Sequence, residues 1–257
     1  MGDSKKVIID VKNLSSGYGD LSVLENVSFE VYESEIFLIA GPSGCGKTTL
    51  LKNMIGLLPP FKGDIFIHGK SIVTSDWDEK RKLMRNFGVL YQTGALFGSL
   101  SLMENVALPI EEFTDYSPKE IIEIVNNKLK LVNLDGFQNF LPSELSGGMR
   151  KRAGLARAMA LDPKILFFDE PSSGLDPITA ANLDTLILDI RKNLGTTMVI
   201  VSHELDSIFN ISDRVIILDH EAKGIISEGK PYDLREHNRD PRVAEFLDRK
   251  GMSRKLK

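Results

Sequence analysis

The sequence predicts an α/β fold. The expected parts are a parallel-sheet core, an N-terminal antiparallel β subdomain and a helical subdomain inserted into the core. Three observations predict it. FLIAG (37–41), FGVLYQ (87–92), ILFFDE (165–170), TTMVIVSH (196–203) and RVIILD (214–219) are continuous apolar runs, as expected of strands buried on both faces. The first of them runs directly into GPSGCGKTT (41–49), which is followed by the helix-like LLKNMIGLL. Residues 93–162, between the second and third runs, carry no strand pattern.

Along the chain, VIIDVKNL (7–14) and SVLENVSFEVYES (22–34) come first. Both are strand-like, with alternation clearest in VSFEV. GDIFIHGKSI (63–72), bounded by Gly63 and Gly69, adds a further strand to this antiparallel part. Gln92 closes the FGVLYQ run, and the insert begins after it. Within the insert, Ser117-Pro118-Lys119-Glu120 is a helix start: a serine cap, proline at the first helical position and glutamate three residues after the cap. Ile121, Val125, Leu129 and Val132 follow at helical spacing. The expected domain is 7–239, with core and antiparallel subdomain in 7–92 and 163–239 and the helical subdomain in about 93–162. Residues 240–257 form a short amphipathic tail with a basic end, whose Val243, Phe246 and Leu247 are expected to add a dimer contact.

Bulk composition narrows the function classes. The 257 residues suffice for one large core, and 42% hydrophobic with 26% charged residues is ordinary for a soluble protein. A net charge of −4 argues against broad nucleic-acid binding. A single cysteine permits no internal disulfide and suits a reducing compartment. MGDSKKVIIDV lacks the apolar stretch of a signal peptide, and its Gly2 and Ser4 do not fit myristoylation spacing. No apolar run approaches the roughly 18 residues of a membrane span, so work at a membrane would need a separate membrane partner.

The chemistry starts at the loop. Gly41, Pro42, Ser43, Gly44, Cys45, Gly46, Lys47, Thr48 and Thr49 span G-x-x-x-x-G-K-[ST]. Its glycines let backbone N–H groups turn toward phosphate oxygens, and the following helix adds a positive dipole end. Lys47 supplies a cation for the β- and γ-phosphates, and Thr48 a hydroxyl for Mg²⁺. ILFFDE ends in two carboxylates with separate tasks: Asp169 for Mg²⁺ and Glu170 as base on an attacking water. Cys45 is read as a small, closely packed filler rather than as the reactive thiol that a helix N-terminus can favour. Ser146, Gly147 and Gly148 open a second helix with anion-binding character. One nucleotide does not need two cradles, whereas two chains facing head to tail do. The following Arg150-Lys151-Arg152 is read as a solvated or phosphate-facing flank, not a nucleic-acid site.

The ordered set resembles the ATP-binding-cassette (ABC) ATPases over about residues 7 to 230. Gly41 to Thr49 match Walker A, Gln92 the Q-loop, and Leu145 to Gly148 the signature. Asp169 and Glu170 match Walker B, Ser173-Gly174-Leu175-Asp176 the D-loop, and His203 the switch histidine. Tyr18 stands where the family places an aromatic against adenine. The resemblance implies ATP and Mg²⁺ held between Walker A of one chain and Ser146–Gly148 of another in a homodimer. It assigns water activation to Glu170, a γ-phosphate contact to His203, metal ligation to Thr48 and Asp169, sensing of Mg²⁺ and water to Gln92, and an interface crossing to Asp176. It also implies that a membrane permease docks in the cleft after the Q-loop, near Leu96 and Phe97.

QTGALFGSLSLMENVALPI (92–110) and LSGGM, with Met149 fifth, resemble one branch: ATPases serving MCE-protein lipid transporters, the Mla (maintenance of lipid asymmetry) type. That resemblance implies ATP hydrolysis on the cytoplasmic face of a bacterial inner membrane, driving phospholipid transport through a permease with an MCE-domain partner. The catalytic residues fit two other uses equally: the ATPase of another importer or exporter, and a soluble ABC ATPase in iron–sulfur assembly or cell division.

Overall fold

The alternating pattern at the start of the chain becomes a long hairpin. In the computed structural model, which describes residues 6–248, β1 (Val7–Tyr18) pairs antiparallel with β2 (Leu21–Tyr32). β1 outruns the 7–14 expected from sequence, whereas β2 starts one residue before the expected 22–34 and stops two short of its end. The other edge of β1 pairs with β4 (Lys62–Ile67), and β4 with β5 (Lys70–Ser71), giving the sheet order β2-β1-β4-β5. GDIFIHGKSI is therefore not one strand but a hairpin turning at His68-Gly69, both at positive φ. Ile9, Val11, Leu14, Leu24, Val27, Ile65 and Ile67 supply its buried side chains.

The chain divides into two units, residues Met1–Lys80 with Val199–Lys257, and residues Arg81–Met198. In the first, β3 (Ile36–Ala40) is buried at all five positions and runs parallel to β9 (Arg214–Asp219), as continuous apolar runs require. β10 (Gly224–Gly229), which sequence reading missed, pairs antiparallel with β9. Arg214 locks this region. Its guanidinium lies 4.7 Å from the Phe37 ring and 4.8 Å from the Tyr32 ring, donates to Glu35 Oε1 at 2.7 Å, and also pairs with Glu228. α1 (Lys47–Met54) follows the phosphate loop, and α7 (Leu205–Ile211), α8 (Pro231–His237) and α9 (Pro241–Asp248) complete the unit.

α9 corrects the reading of the tail. Val243, Phe246 and Leu247 are buried within the chain itself, so they are not available as a dimer contact. Their helical spacing was visible in sequence, but not which surface they cover. The basic end expected at 249–257 lies outside the described residues.

In the second unit, β6 (Phe87–Leu90) and β7 (Ile165–Asp169) are parallel neighbours, with Phe87 edge-on to Phe167. β6 ends at Leu90, so Gln92 stands beyond the strand instead of closing it. The segment 93–162 holds α3 (Leu102–Phe113), α4 (Pro118–Leu131), a 3-10 turn at Pro142–Glu144 and α5 (Gly147–Ala158). Ser117 forms the expected capping box with Glu120, and Ser101 forms another with Glu104. Ile121, Val125, Leu129 and Val132 are all buried. α5 presses on β6 so closely that a Cβ at Gly88 would lie 1.9 Å from Ala158 O. α6 (Pro177–Leu194) follows β7, while α2 (Trp77–Met84) and β8 (Thr197–Val201) carry the boundaries between the units.

Because Phe246 is buried in its own chain, Phe246→Ala is expected to cost stability of about 3 kcal/mol and to leave self-association unchanged. Denaturant unfolding together with sedimentation checks both; a lost dimer at unaltered stability would restore the interface reading.

Candidate nucleotide site

In the first unit, β3 delivers the chain to a loop whose first position admits no side chain. Gly41 has φ 145°, and a Cβ there would lie 2.4 Å from Leu218 O and 2.7 Å from Cys45 Sγ. Gly44 and Gly46 follow at φ 83° and 101°, in the left-handed region open to glycine. α1 begins at Lys47, and the first-turn N–H groups of a helix have no partner within it. Lys47 is buried, and its Nζ donates to Gly41 O at 2.9 Å and Pro42 O at 3.0 Å. The cation is thus held against its own loop, beside Thr48 and the buried Thr49. Pro42 and Thr48 are half-buried, and Ser43 and Gly44 are exposed. Cys45 is buried, and that burial pushes its thiol above the ordinary range, which suits a filler.

Tyr18 ends β1 with a half-open ring. Lys52, on α1, lies 5.7 Å from the ring centroid and 3.5 Å from the hydroxyl. A cation–π contact of this kind orients the ring. His203 follows β8 with its Nε2 3.5 Å from Glu204 Oε1.

In the second unit the structure brings Gln92 and Glu170 together. Gln92 Nε2 donates to Ser173 Oγ at 3.0 Å and approaches Glu170 Oε2 at 3.5 Å. Asp169 is the last residue of β7, and Glu170 takes φ +48°, which turns the chain sharply after the strand. The turn ends at Asp176, whose carboxylate caps α6, accepting from Ile178 N, Thr179 N and the Thr179 hydroxyl at 3.1, 3.0 and 2.5 Å. The Thr179 hydroxyl above all holds the Asp176 carboxyl below the usual range. Ser146 caps α5 by accepting from Met149 N at 3.2 Å. Gly147 and Gly148 form the first turn, and a Cβ on Gly148 would meet Thr179 Cγ2 at 2.5 Å. Among the described residues, no cluster of three or more His, Cys, Asp or Glu side chains suits a metal by itself.

The expected solvated or phosphate-facing flank does not hold for Lys151, whereas Arg150 and Arg152 are half-exposed. Arg150 Nη1 donates to Leu145 O at 2.6 Å, and Arg152 Nη1 to Asn133 O at 3.2 Å. Lys151 is buried, donating to Pro171 O at 2.6 Å and Ser173 O at 2.5 Å. Desolvation lowers its pKa, and the Glu170 carboxylate opposes that shift. Gly148, Gly154 and Leu155, three and four positions away and buried, were the signal that Lys151 faces inward.

After Gln92 the chain borders an apolar cleft of about 430 Å³, lined among others by Phe87, Val89, Tyr91, Phe97, Phe113 and Arg157. Phe97 is 56% exposed, so the greasy patch is partly open as expected; Leu96 is half-buried. Asn105 pins the loop: its Oδ1 accepts from Phe97 N at 2.8 Å, and its Nδ2 donates to the carbonyls of Phe97, Leu100 and Ser101. Sequence reading missed this residue, which looks like any polar position on α3.

The chain is similar to known proteins. The profile of a family described as ABC transporter matches residues 24–173. A probable ribonucleotide transport ATP-binding protein, mkl of Mycobacterium leprae, is 42% identical over 242 residues, covering 94% of this chain and 69% of that protein. The intermembrane phospholipid transport system ATP-binding protein MlaF of Haemophilus influenzae is 41% identical over 240 residues, covering 93% and 90%. Among solved structures, a dimeric form of the bacterial ABC transporter cassette MJ0796 superposes with a TM-score of 0.79 at 32% identity, over 87% of this chain and 98% of that one.

Burial and the raised thiol pKa together imply that Cys45 resists alkylation in the folded chain, by about 10-fold or more relative to a free cysteine at pH 7.5. Mass spectrometry after timed maleimide exposure measures this. Labelling at the free-thiol rate would contradict the packing described for the loop.

Proposed function

The chain belongs to the ABC transporter family as an ATP-binding, ATP-hydrolysing subunit, and from that premise we propose that it energises phospholipid transport through a separate membrane permease. One observation carries the cargo reading: the 41% identity over 240 residues to the phospholipid transport ATP-binding protein MlaF of Haemophilus influenzae. Transport of a nucleotide or another small molecule is the second reading, favoured by the 42% identity to mkl.

In this reading two copies close head to tail. Each binds ATP on Gly41 to Thr49, with Lys47 as the phosphate cation and Tyr18 against adenine, and lends Ser146, Gly147 and Gly148 to the nucleotide of its partner. The dimeric form of MJ0796 supports such pairing. Asp176 reaches the interface while capping its own helix, a use of its carboxylate that the hydrogen bonds to Ile178 and Thr179 already engage. Thr48, Asp169 and Gln92 offer hydroxyl, carboxylate and amide oxygens, the hard donors that Mg²⁺ takes. When bound, Mg²⁺ would neutralise phosphate charge. Glu170 acts as the base that orients and deprotonates water, Gln92 holds the turn carrying it through Ser173, and His203 contacts the γ-phosphate. The open cleft at Phe97 suits a short permease segment, and docking there would make the ATPase a peripheral subunit on the cytoplasmic face of the membrane. An MCE-domain protein completes the assembly.

Affinity capture of the tagged chain from detergent-solubilised native membranes, read by mass spectrometry, tests the cargo. The expected result is a multi-span permease with an MCE-domain protein and bound phospholipid. A permease of another class without that partner would discard the lipid reading, and soluble scaffold proteins alone would discard transport.

A further inference from the structure

Lys151 is a buried charge with no part in the reaction as outlined. It lies on α5, in the second turn of the helix that Ser146 caps, and the residue is 5% exposed. An ammonium withdrawn from water is tolerated where strong acceptors replace that water. Here the acceptors are two backbone carbonyls, Pro171 O at 2.6 Å and Ser173 O at 2.5 Å, both in the turn after β7.

That turn is also held from within. It begins with Glu170 at φ +48°, a conformation that a non-glycine residue keeps when its surroundings over-determine it. Inside it, Ser173 N donates to Glu170 O at 3.2 Å and Leu175 N to Ser172 O at 3.1 Å. One cation binding two carbonyls fixes both on one side of the turn. The Ser173 hydroxyl is then held where Gln92 Nε2 reaches it at 3.0 Å.

We propose that Lys151 is a positioning residue for ATP hydrolysis, holding the Pro171 and Ser173 carbonyls so that the turn presents the Glu170 carboxylate and the Ser173 hydroxyl. The same side chain belongs to the helix that begins at Ser146. It therefore ties the half-site a chain lends to its partner to the carboxylate the chain uses itself. This rests on the assignment of Glu170 as base and of Ser146–Gly148 to the partner's nucleotide.

The test uses the full-length chain. Lys151→Met keeps side-chain length and removes charge and donor, whereas Lys151→Arg keeps both. Steady-state ATP turnover, ATP affinity by fluorescence titration and thermal unfolding are measured for each. The expected result for Lys151→Met is a kcat lowered at least about 10-fold with ATP Kd and KM within about 3-fold, and recovery of most of kcat in Lys151→Arg. A purely structural role would instead move stability, affinity and turnover together. If Lys151→Met does not fold, Lys151→Gln replaces it under the same criteria. A kcat within about 2-fold of wild type, or parallel loss of affinity and turnover that arginine does not rescue, overturns the proposal. Wild-type protein without ATP turnover would overturn the functional reading itself, an outcome distinct from failure of the lysine assignment.

Discussion

No side chain fits at Gly41. The carbonyl of Leu218 stands 2.4 Å from where its Cβ would be, and Cys45 Sγ stands 2.7 Å away. The phosphate loop depends on that exclusion, because it lets the chain leave a wholly buried strand and curl at once. β3 provides the rigid platform, being buried at every residue and paired in register with β9, which carries Leu218. The curl brings the Gly41 and Pro42 carbonyls to Lys47 Nζ, so the loop cation is fixed before any ligand arrives. In the proposed reading, preorganised charge of this kind would meet a polyphosphate without a further cost of ordering.

The second unit applies the same logic with hydrogen bonds instead of steric exclusion. Its key segment is the turn from Glu170 to Asp176. Gln92 holds it from the loop after β6, Lys151 from α5, and Asp176 by capping α6. Each anchor comes from a different element, so the turn is fixed from three parts of the sequence. The cleft beside Phe97 lies on the same loop that supplies Gln92. In the proposed reading, a partner docked there would touch the chain a few residues from the Gln92 amide that binds the turn. Sequence distance is short, and Asn105 stiffens the connection by binding the loop backbone at Phe97, Leu100 and Ser101.

What was legible in sequence follows from which signals are local. The phosphate loop, the Ser117 cap and the apolar strands β3, β7, β8 and β9 were read because their determinants lie within a few residues of one another. β10 was missed because a short edge strand, GIISEG, needs the pairing of β9 to declare itself. Lys151 was misread because a run of three basic residues looks solvated, and its acceptors lie 20 and 22 residues further on. Val243, Phe246 and Leu247 showed helical spacing correctly, but an apolar stripe does not say whether it covers its own chain or another. Asp176 was legible as part of a motif, while its capping of α6 depends on where the helix starts.

The central claim is that Glu170 is the base of an ATPase whose nucleotide is held by other residues. Glu170→Gln tests it most directly, because the amide preserves shape and removes only basicity. The expected result is ATP affinity within about 3-fold of wild type, turnover lowered by roughly 10² to 10⁴, and a dimer that accumulates with ATP in sedimentation. Turnover near the wild-type rate would contradict it, and would move the search for the base away from the turn that follows β7.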